Sequence, residues 1–264
     1  MAKIVRKVFL WTVASMILLL ILNGCRTESG AWERIEQSGL LRVGLDPTYP
    51  PFEVTEGEGV AGLDVDLAKA LAGELGLSSE FVYFGYDGLY DALATEQVDV
   101  LISALVMVPG RTRDFAYSEP YFNAGEILVV PAGSDDIQGM ADLDGSRLAV
   151  ELGAQGHVQA TQWSKRLADL AVQPYGSAEE ALEAVSDAEA DAALVDSISG
   201  RLFLKDRPSD QPPLMRVPRP VTVEPYAVVV RIEDEMLLEK VDGALASLAA
   251  TNQLEAIINH WLGG

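Results

Sequence analysis

The stretch that decides the fold is VDVLISALVMVPGR, residues 98–111. Its apolar start is typical of a strand that is covered on both faces, and the polar Ser103 ends that strand. Pro109 and Gly110 then stop any regular element just before Arg111. Ligands of open α/β sheets lie beyond the carboxyl ends of the strands, so an arginine at this place can meet a carboxylate. From this stretch alone, an ordinary surface arginine is an equally good interpretation.

Alternating strand and helix patterns lead up to this stretch. Strand patterns at residues 41–45 and 81–84 flank a helical pattern at 62–75, and a second helical pattern at 86–95 precedes residue 98. Strand, helix, strand, helix, strand is the order typical of a parallel sheet covered by helices. The predicted fold class is therefore α/β.

A second series of the same kind follows the turn-rich residues 131–136. It contains a strand at 147–151, a helix at 157–170, a helix at 177–186 that opens with Ser177 and Glu180 as a capping box, and a strand at 192–195 that ends at Asp196. Both series share the plan of a helix, an acidic turn and an apolar strand. This repetition predicts two similar lobes whose strand ends meet at one cleft.

The chain is predicted to cross between the lobes twice, near residues 125–130 and 223–228, and two crossing strands form a hinge. Residues 201–220, rich in Pro, Arg and Asp, are predicted to be a surface connection. The closing helices, at 236–248 and 254–261, are assigned to the first lobe. The predicted organisation is a signal peptide at 1–24, a tether at 25–39, a first lobe at 40–127 and 224–264, and a second lobe at 128–223.

The N-terminal residues have the three parts of a secretory signal. Lys3, Arg6 and Lys7 form a basic start, an apolar stretch follows at 8–22, and Leu-Asn-Gly-Cys ends the segment at Cys25. The apolar stretch is short for a transmembrane helix, and its end resembles the cleavage box of bacterial lipoproteins. The prediction is an extracytoplasmic protein anchored to the membrane by lipid on Cys25, with a plain signal peptide or an uncleaved anchor as alternatives. Because Cys25 is the only cysteine, the fold can hold no internal disulfide.

The charge and the motifs narrow the function classes. The 264 residues carry a formal net charge of −21, which argues against nucleic acid or an anionic surface as a partner, since both require clustered Lys and Arg. His157 and His260 lack the spacing of metal ligands, and neither a Gly-x-Ser-x-Gly elbow nor a phosphate loop occurs. No metal and no cofactor are predicted.

Eight segments together resemble the family 3 extracellular solute-binding proteins, which are the polar amino acid receptors of ABC importers. They are LRVGLDPTYPPF (41–52), GLDVDLAKAL (62–71), YDGLYDAL (86–93), the opening stretch (98–111), FAYSEPY (115–121), DLDGSRLAVELG (142–153), DAALVD (191–196) and HWLG (260–263). Their order and spacing cover residues 40–263. The resemblance implies a type II periplasmic-binding-protein fold, in which two α/β lobes joined by a two-strand hinge close on a ligand without enzymatic chemistry.

The resemblance also assigns roles to residues. Arg111 would clamp the α-carboxylate of the ligand, and Asp196 from the other lobe would receive its α-ammonium. The structural alternative for Asp196 is the N-cap of a helix that begins at Ser197. Tyr49 and Tyr86 match aromatic positions that enclose the ligand side chain. The implied ligand-binding residues are Asp46, Tyr49, Phe52, Tyr86, Ser103, Ala104, Val106, Arg111, Glu151, Ala154, Gln155 and Asp196.

The sequence departs from the family pattern at three of these positions. Val106 replaces a hydroxyl residue that helps to hold the ammonium, and Ala154 and Gln155 replace two threonines in a turn whose N–H groups assist the carboxylate. Glu151 and Asp46 would place two acids at the far end of the ligand, so the narrower hypothesis is a cationic side chain such as arginine, ornithine or lysine. Glu151 as a solvated side chain, or paired with a protein cation, is the alternative.

The expected function is that of a monomeric, lipid-anchored receptor that captures a polar amino acid and delivers it to ABC permease subunits in the membrane. One alternative is an exported enzyme on the same scaffold, of the cyclohexadienyl or arogenate dehydratase type, with Glu151 or Asp46 as general acid. The other is a receptor subunit that senses the ligand and signals through a separate protein.

Overall fold

The computed structural model describes residues 30–57 and 59–263. The predicted signal peptide and the lipidation site at Cys25 lie outside the described residues. The helices are α1 (Ala31–Ser38), α2 (Leu63–Glu74), α3 (Leu89–Ala94), α4 (Gln155–Trp163), α5 (Ala178–Ser186), α6 (Ser197–Asp206), α7 (Glu235–Ala250) and α8 (Gln253–Leu262). Short 3-10 helices cover Tyr86–Gly88, Pro109–Arg111 and Met140–Asp142.

The strands form two five-stranded sheets and two small ones. They are β1 (Leu40–Leu45), β2 (Thr48–Tyr49), β3 (Glu53–Glu56), β4 (Gly59–Ala61), β5 (Ser78–Tyr83), β6 (Val100–Leu101), β7 (Phe115–Tyr117), β8 (Phe122–Asn123), β9 (Glu126–Pro131), β10 (Arg147–Glu151), β11 (Ala171–Tyr175), β12 (Ala192–Asp196), β13 (Leu214–Arg216), β14 (Pro225–Tyr226) and β15 (Val229–Arg231).

The first large sheet has the strand order β5-β1-β6-β15-β7 and forms the first lobe. β1 runs parallel to both β5 and β6, while β15 returns antiparallel from near the end of the chain. Leu41, Val43 and Leu45 alternate into the core, as a period of two requires. The closing helix α7 buries Leu237 and Leu248 in this same core, so the C-terminal part of the chain belongs to the first lobe.

The second large sheet has the order β11-β10-β12-β9-β13 and forms the second lobe. β10 is parallel to β11 and β12, and β9 pairs antiparallel with β12. Ser177 is the N-cap of α5, because its hydroxyl accepts a hydrogen bond from the N–H of Glu180 at 3.1 Å. The Glu180 carboxylate accepts from the N–H of Gly176 at 2.8 Å, one residue before the position that a capping box requires. The predicted architecture of two α/β lobes is confirmed.

The chain passes between the lobes along two neighbouring segments. β8 on the first crossing pairs antiparallel with β14 on the second. The crossings approach closely at Gly125, where an added Cβ would lie 2.3 Å from the carbonyl oxygen of Thr222. A glycine is therefore required at this point of the hinge for steric reasons.

Substitution of Gly125 by alanine is expected to lower the free energy of unfolding by about 1 to 3 kcal/mol, because the backbone of the crossing segments must move apart. Thermal unfolding of the variant beside wild type measures this loss. The matched control is Gly73→Ala in α2, where an added Cβ meets nothing within 4 Å and the helix gains about 0.5 to 1 kcal/mol. Equal melting temperatures for the two variants would contradict the conclusion that the hinge requires a glycine at residue 125.

The structure corrects several boundaries. The predicted tether at 25–39 contains α1, whose Ala31 and Ile35 are buried in the first-lobe core, since the helix is amphipathic. β9 begins at Glu126, so residues 126 and 127 belong to the second sheet rather than to the first lobe. The surface connection predicted at 201–220 contains most of α6 and all of β13.

Candidate functional site

In the first lobe, two strand ends lie together as predicted. Asp46 follows β1 and Ser103 follows β6, and the N–H of Asp46 donates to the Ser103 hydroxyl at 3.0 Å. The Asp46 carboxylate accepts from the Thr48 hydroxyl at 2.9 Å and from the N–H of Tyr86 at 2.8 Å. Each carboxylate oxygen of Asp46 thus accepts one hydrogen bond from a neighbouring loop, and the bond from Tyr86 places that residue beside the end of β1.

The three aromatic residues of the predicted site separate into two groups. Tyr49 and Tyr86 are 44% and 59% exposed, so both offer ring surface to a ligand, whereas Phe52 is fully buried. The prediction that Phe52 contacts the ligand is wrong for this arrangement. Its ring is stacked on that of Tyr49, with the two ring centroids 5.6 Å apart, and makes edge contacts with the rings of Phe122 and Tyr226. Phe52 therefore supports the exposed tyrosine from below.

A pair of buried acids, absent from the predicted site, lies beneath Ser103 and Ala104. The Ser103 hydroxyl donates to Glu53, while Asp64 Oδ2 accepts from the N–H of Ala104 at 2.6 Å and from the Tyr121 hydroxyl at 3.0 Å. Ala104 has a left-handed φ of 46°, which this hydrogen bond helps to hold. The available signal was an acid inside two apolar runs, Phe52-Glu53-Val54 and Leu63-Asp64-Val65.

Burial raises the pKa of both carboxyls, and the charge of Asp64 raises the pKa of Glu53 further. Asp64 accepts two hydrogen bonds that favour its ionised form, so Glu53 is the member of the pair that keeps its proton. One oxygen of each carboxyl finds no hydrogen-bond partner in the described part of the chain. The pair therefore supports the Ser103 and Ala104 strand end only while one proton is present.

Glu53→Gln is expected to reduce the pH dependence of stability. A carboxyl whose pKa is raised on folding contributes stability below its unfolded pKa of about 4, and that contribution is lost as the pH rises toward the raised value. Glutamine keeps the carbonyl acceptor and has no proton to lose. Between about pH 5 and pH 9 the free energy of unfolding should fall further in wild type than in the variant. The difference between the two decreases should be at least about 1 kcal/mol. Urea unfolding at each pH measures this difference, with the exposed Glu56→Gln as control, and parallel curves for wild type and Glu53→Gln would contradict it.

Arg111 lies in the 3-10 turn Pro109–Arg111 at the surface of the first lobe. Its guanidinium carbon lies 4.0 Å from the centroid of the Tyr90 ring, a cation–π contact that orients the side chain. Within the described residues, no carboxylate lies within 4 Å of this guanidinium to form an ion pair. Among these residues, Arg111 thus makes no ion pair that would compete with an anionic ligand.

In the second lobe, Asp196 ends β12 and Glu151 ends the neighbouring β10. Asp196 is the N-cap of α6, because its Oδ1 accepts from the N–H groups of Ile198 at 3.1 Å and Ser199 at 2.9 Å. The structural alternative for Asp196 is thus realised, and it occupies one of the two carboxylate oxygens. Ala154 is the N-cap residue and Gln155 the first residue of α4, so the predicted turn is the N-terminus of a helix.

Glu151 also lines a groove of about 910 Å³ between α5 and α6. Of the predicted site residues, it alone contributes to this groove, whose other residues include Leu182, Phe203 and Arg207. The groove therefore lies away from the strand ends of the first lobe. Because part of its surface faces this groove, Glu151 is less suited than Asp196 to meet a ligand held between the lobes.

Both halves of the predicted site are attached to the hinge. On the first lobe, Val106 forms a backbone bridge with Tyr226, and Leu105 accepts from the N–H of Ala227 at 3.0 Å. On the second lobe, the Ser197 hydroxyl next to Asp196 donates to the carbonyl of Asn123 at 2.8 Å. The two sets of residues are thus held by the same pair of crossing segments, one set on each side.

Glu126 is a further acid at this place that the sequence patterns did not bring into the predicted site. It lies opposite Asp196 in the antiparallel pairing of β9 and β12 and is only 5% exposed. Burial, together with the negative charges of Asp196, Glu224 and Glu151, raises the pKa of Glu126 to about 7. An acid at the first position of an apolar strand, just after a crossing glycine, was the signal in the sequence.

The family model of bacterial extracellular solute-binding proteins, family 3, matches residues 41–264. The chain belongs to this family. A similar protein is the arginine-binding extracellular protein ArtP of Bacillus subtilis (strain 168). It is 28% identical over 260 residues, which span 94% of this chain and 98% of ArtP.

Two solved structures are similar to this family 3 protein. The L-cystine solute receptor of Neisseria gonorrhoeae, unliganded and open, is 26% identical with a TM-score of 0.76 over 89% of this chain and 97% of that one. An ancestral arginine-binding protein bound to arginine is 32% identical with a TM-score of 0.50 over 85% and 99%. The type II periplasmic-binding-protein fold is confirmed.

Two further observations bear on what this family 3 site can hold. Across residues 30–57 and 59–263, His, Cys, Asp and Glu form no group of three or more that could bind a metal ion. Within the same ranges, none of the helices has the length and apolar character needed to cross a bilayer.

Proposed function

We propose that this protein is the extracytoplasmic substrate-binding component of an ABC importer and captures a polar amino acid by closure of its two lobes. The observation that carries the proposal is a pair of opposite charges on the two lobes. Arg111 on the first lobe has no carboxylate within 4 Å among the described residues, and Asp196 on the second lobe ends β12 beside the hinge contact of Ser197. The names of the relatives agree, since ArtP binds arginine and the open receptor binds L-cystine.

The charges of the site match the two ends of an amino acid. Arg111 offers a planar fork of N–H donors to the α-carboxylate, and the N-terminus of α4 offers further N–H groups. Asp196 would receive the α-ammonium through its Oδ2, the oxygen that does not cap α6. Closure then brings each charge onto an opposite one, so no charge is buried alone. The exposed rings of Tyr49 and Tyr86 would enclose the side chain of the ligand.

An amino acid with a cationic side chain is the narrower proposal. The chain is strongly acidic, and Glu126, Glu151, Asp196 and Glu224 surround one part of the second-lobe edge. A second positive charge on the ligand would be attracted to this edge. Arginine, ornithine and lysine are the candidates, in keeping with the arginine named for two of the relatives.

The setting proposed for the protein follows from its N-terminus and its family. Lipid on Cys25 would anchor it outside the cytoplasm, close to the permease subunits that accept the amino acid. The proposal treats the protein as a monomer without enzymatic activity. Mass spectrometry of the membrane-extracted protein tests the anchor, because the mature form would lack residues 1–24, through hydrolysis of the Gly24–Cys25 bond, and would carry acyl chains on Cys25.

A thermal-shift screen of the purified full chain against the twenty amino acids and ornithine tests the ligand class. A ligand at a hundred times its dissociation constant stabilises the folded protein by about 2.7 kcal/mol, which is visible as a raised melting temperature. The proposal predicts a shift for one or a few polar amino acids, confirmed by calorimetry. A screen in which no amino acid raises the melting temperature would refute it.

The enzymatic alternative is favoured by one observation. Glu126 is a buried carboxyl whose pKa is raised to about 7, which is the range that a general acid at neutral pH requires. An ultraviolet assay with prephenate and arogenate distinguishes a dehydratase from a receptor. The sensing alternative is distinguished by genes for a permease and an ATPase next to this one, which a receptor that signals does not need.

A further inference from the structure

Four acidic residues lie along the hinge side of the second lobe. Glu126 begins β9, Asp196 ends β12, Glu151 ends β10, and Glu224 lies on the second crossing segment. The charges of the other three act on Glu126. In the described ranges, no Lys, Arg or His lies within 4 Å of any of the four to neutralise it. This edge therefore has an excess of negative charge that the folded chain itself leaves uncompensated.

Glu126 differs from the other three because it is buried. Its Oε2 is shielded from solvent and has no hydrogen-bond partner among residues 30–57 and 59–263. The oxygen lies against the first turn of α4, since a Cβ added to Gly156 would be 2.8 Å from it. A buried carboxyl without a partner is costly, so native proteins keep one where a proton or a bound cation neutralises it.

We propose that Glu126 is a specificity-determining residue that receives the second cationic group of a dibasic amino acid, next to the α-ammonium on Asp196. The inference rests on the proposed function and names its ligand class. Asp196 and Glu126 are direct partners in an antiparallel pair, which places their Cα atoms about 4.5 to 5.5 Å apart and their side chains on one face. Two cations of one small ligand can meet such a pair.

Asp46, which with Glu151 was expected to meet the cationic end of the ligand, is less suited to this role. Both of its oxygens already accept hydrogen bonds, from Thr48 and from Tyr86. Glu126 has an oxygen without a donor, in a less hydrated place where an ion pair is stronger. The cation of the ligand is the donor that this carboxyl lacks.

The same geometry couples binding to a proton. The groups that face Glu126 are Asp196 on β12, Glu151 on β10 and Glu224 on the crossing segment, and α4 above it carries His157, whose Nδ1 accepts from the N–H of Gly153. In the empty site, burial and these charges favour the protonated form of Glu126 near neutral pH. A ligand cation favours the ionised form, so binding should release a proton.

Calorimetry of the full chain in detergent, with arginine and with glutamine as ligands, tests the proposal. Wild type should bind arginine with release of a proton, seen as a binding enthalpy that depends on the ionisation enthalpy of the buffer. Glu126→Gln should weaken arginine binding by about tenfold to a hundredfold, abolish the proton release and leave glutamine binding within about twofold. The control is Glu189→Gln, an exposed acid before β12, which should leave both affinities unchanged.

The possible failures are distinguishable. If wild type binds an amino acid but Glu126→Gln leaves arginine binding and its proton release unchanged, the inference is wrong and the proposed function stands. Tight binding of neutral amino acids with none of arginine, or an equal loss of both ligands in a variant with wild-type melting temperature, also overturns the specificity role. If wild type binds no amino acid at all, the proposed function falls and this inference with it.

Discussion

Replacement of Arg111 by alanine is expected to weaken binding of the amino acid ligand more than a hundredfold. Among the described residues no carboxylate lies within 4 Å of the Arg111 guanidinium, so its loss would strand the α-carboxylate of the ligand in the closed cleft. Removal of one member of a buried ion pair costs about 3 to 5 kcal/mol, which corresponds to more than two orders of magnitude in affinity. Calorimetry with a ligand identified by the thermal-shift screen measures the loss.

Two companion variants make this experiment specific. Arg113→Ala removes an equal charge two residues away, also exposed, and should change the affinity by less than about threefold because distant surface charges are screened. Arg111→Lys keeps the charge but loses the planar fork, so an intermediate affinity is expected. An affinity within tenfold of wild type in Arg111→Ala would show that the α-carboxylate binds elsewhere.

Replacement of Asp64 by alanine is expected to lower the free energy of unfolding by about 2 to 5 kcal/mol. The carboxylate is fully buried and accepts hydrogen bonds from the N–H of Ala104 and the hydroxyl of Tyr121, and alanine would leave both donors without a partner. Loss of the desolvation cost of the buried Asp64 carboxylate offsets part of this cost. Thermal unfolding measures the change, and a loss of this size corresponds to roughly 2 to 4 °C per kcal/mol for a chain of this length.

The controls for Asp64 separate the hydrogen bonds from the charge. Asp64→Asn retains an oxygen acceptor and removes the charge, so it should cost less than about 1 kcal/mol. Asp91→Ala removes an exposed acid from α3 and should stay within about 0.5 kcal/mol of wild type. If Asp64→Ala and Asp64→Asn unfold at the same temperature, the orphaned donors are not the source of the effect.

The predictable part of the site consists of residues at strand ends. The run at 98–102 and the run at 41–45 each end in a polar residue, and the parallel pairing of β1 and β6 brings Asp46 to Ser103. Ser177 as a helix cap was predictable for a similar reason, because the capping box is a contact between residues three apart. Patterns of this kind can be predicted from the sequence, because the residues that form them are close together in the chain.

The unpredicted part consists of residues whose environment comes from distant segments. Phe52 and Tyr49 are aromatic residues of one proline-rich loop, and their separate roles depend on Phe122 and Tyr226 from the hinge, which cover one ring and leave the other exposed. The strand at Ala171–Tyr175 carries a proline and lies at the sheet edge, so its pattern was weak.

The sequence by itself determined the order of strands and helices and the two-lobed division, because hydrophobic periodicity and turn residues act over a few positions. The choice of Arg111 and Asp196 came from the resemblance to the family 3 proteins and stays a prediction. Tertiary structure alone decided which acids are buried. Glu53, Asp64 and Glu126 have the same chemistry as the many exposed carboxylates of this chain, and they differ from them by what packs around them. The physical reason is that desolvation depends on neighbours brought from elsewhere in the chain, as Asp196 and α4 are brought to Glu126.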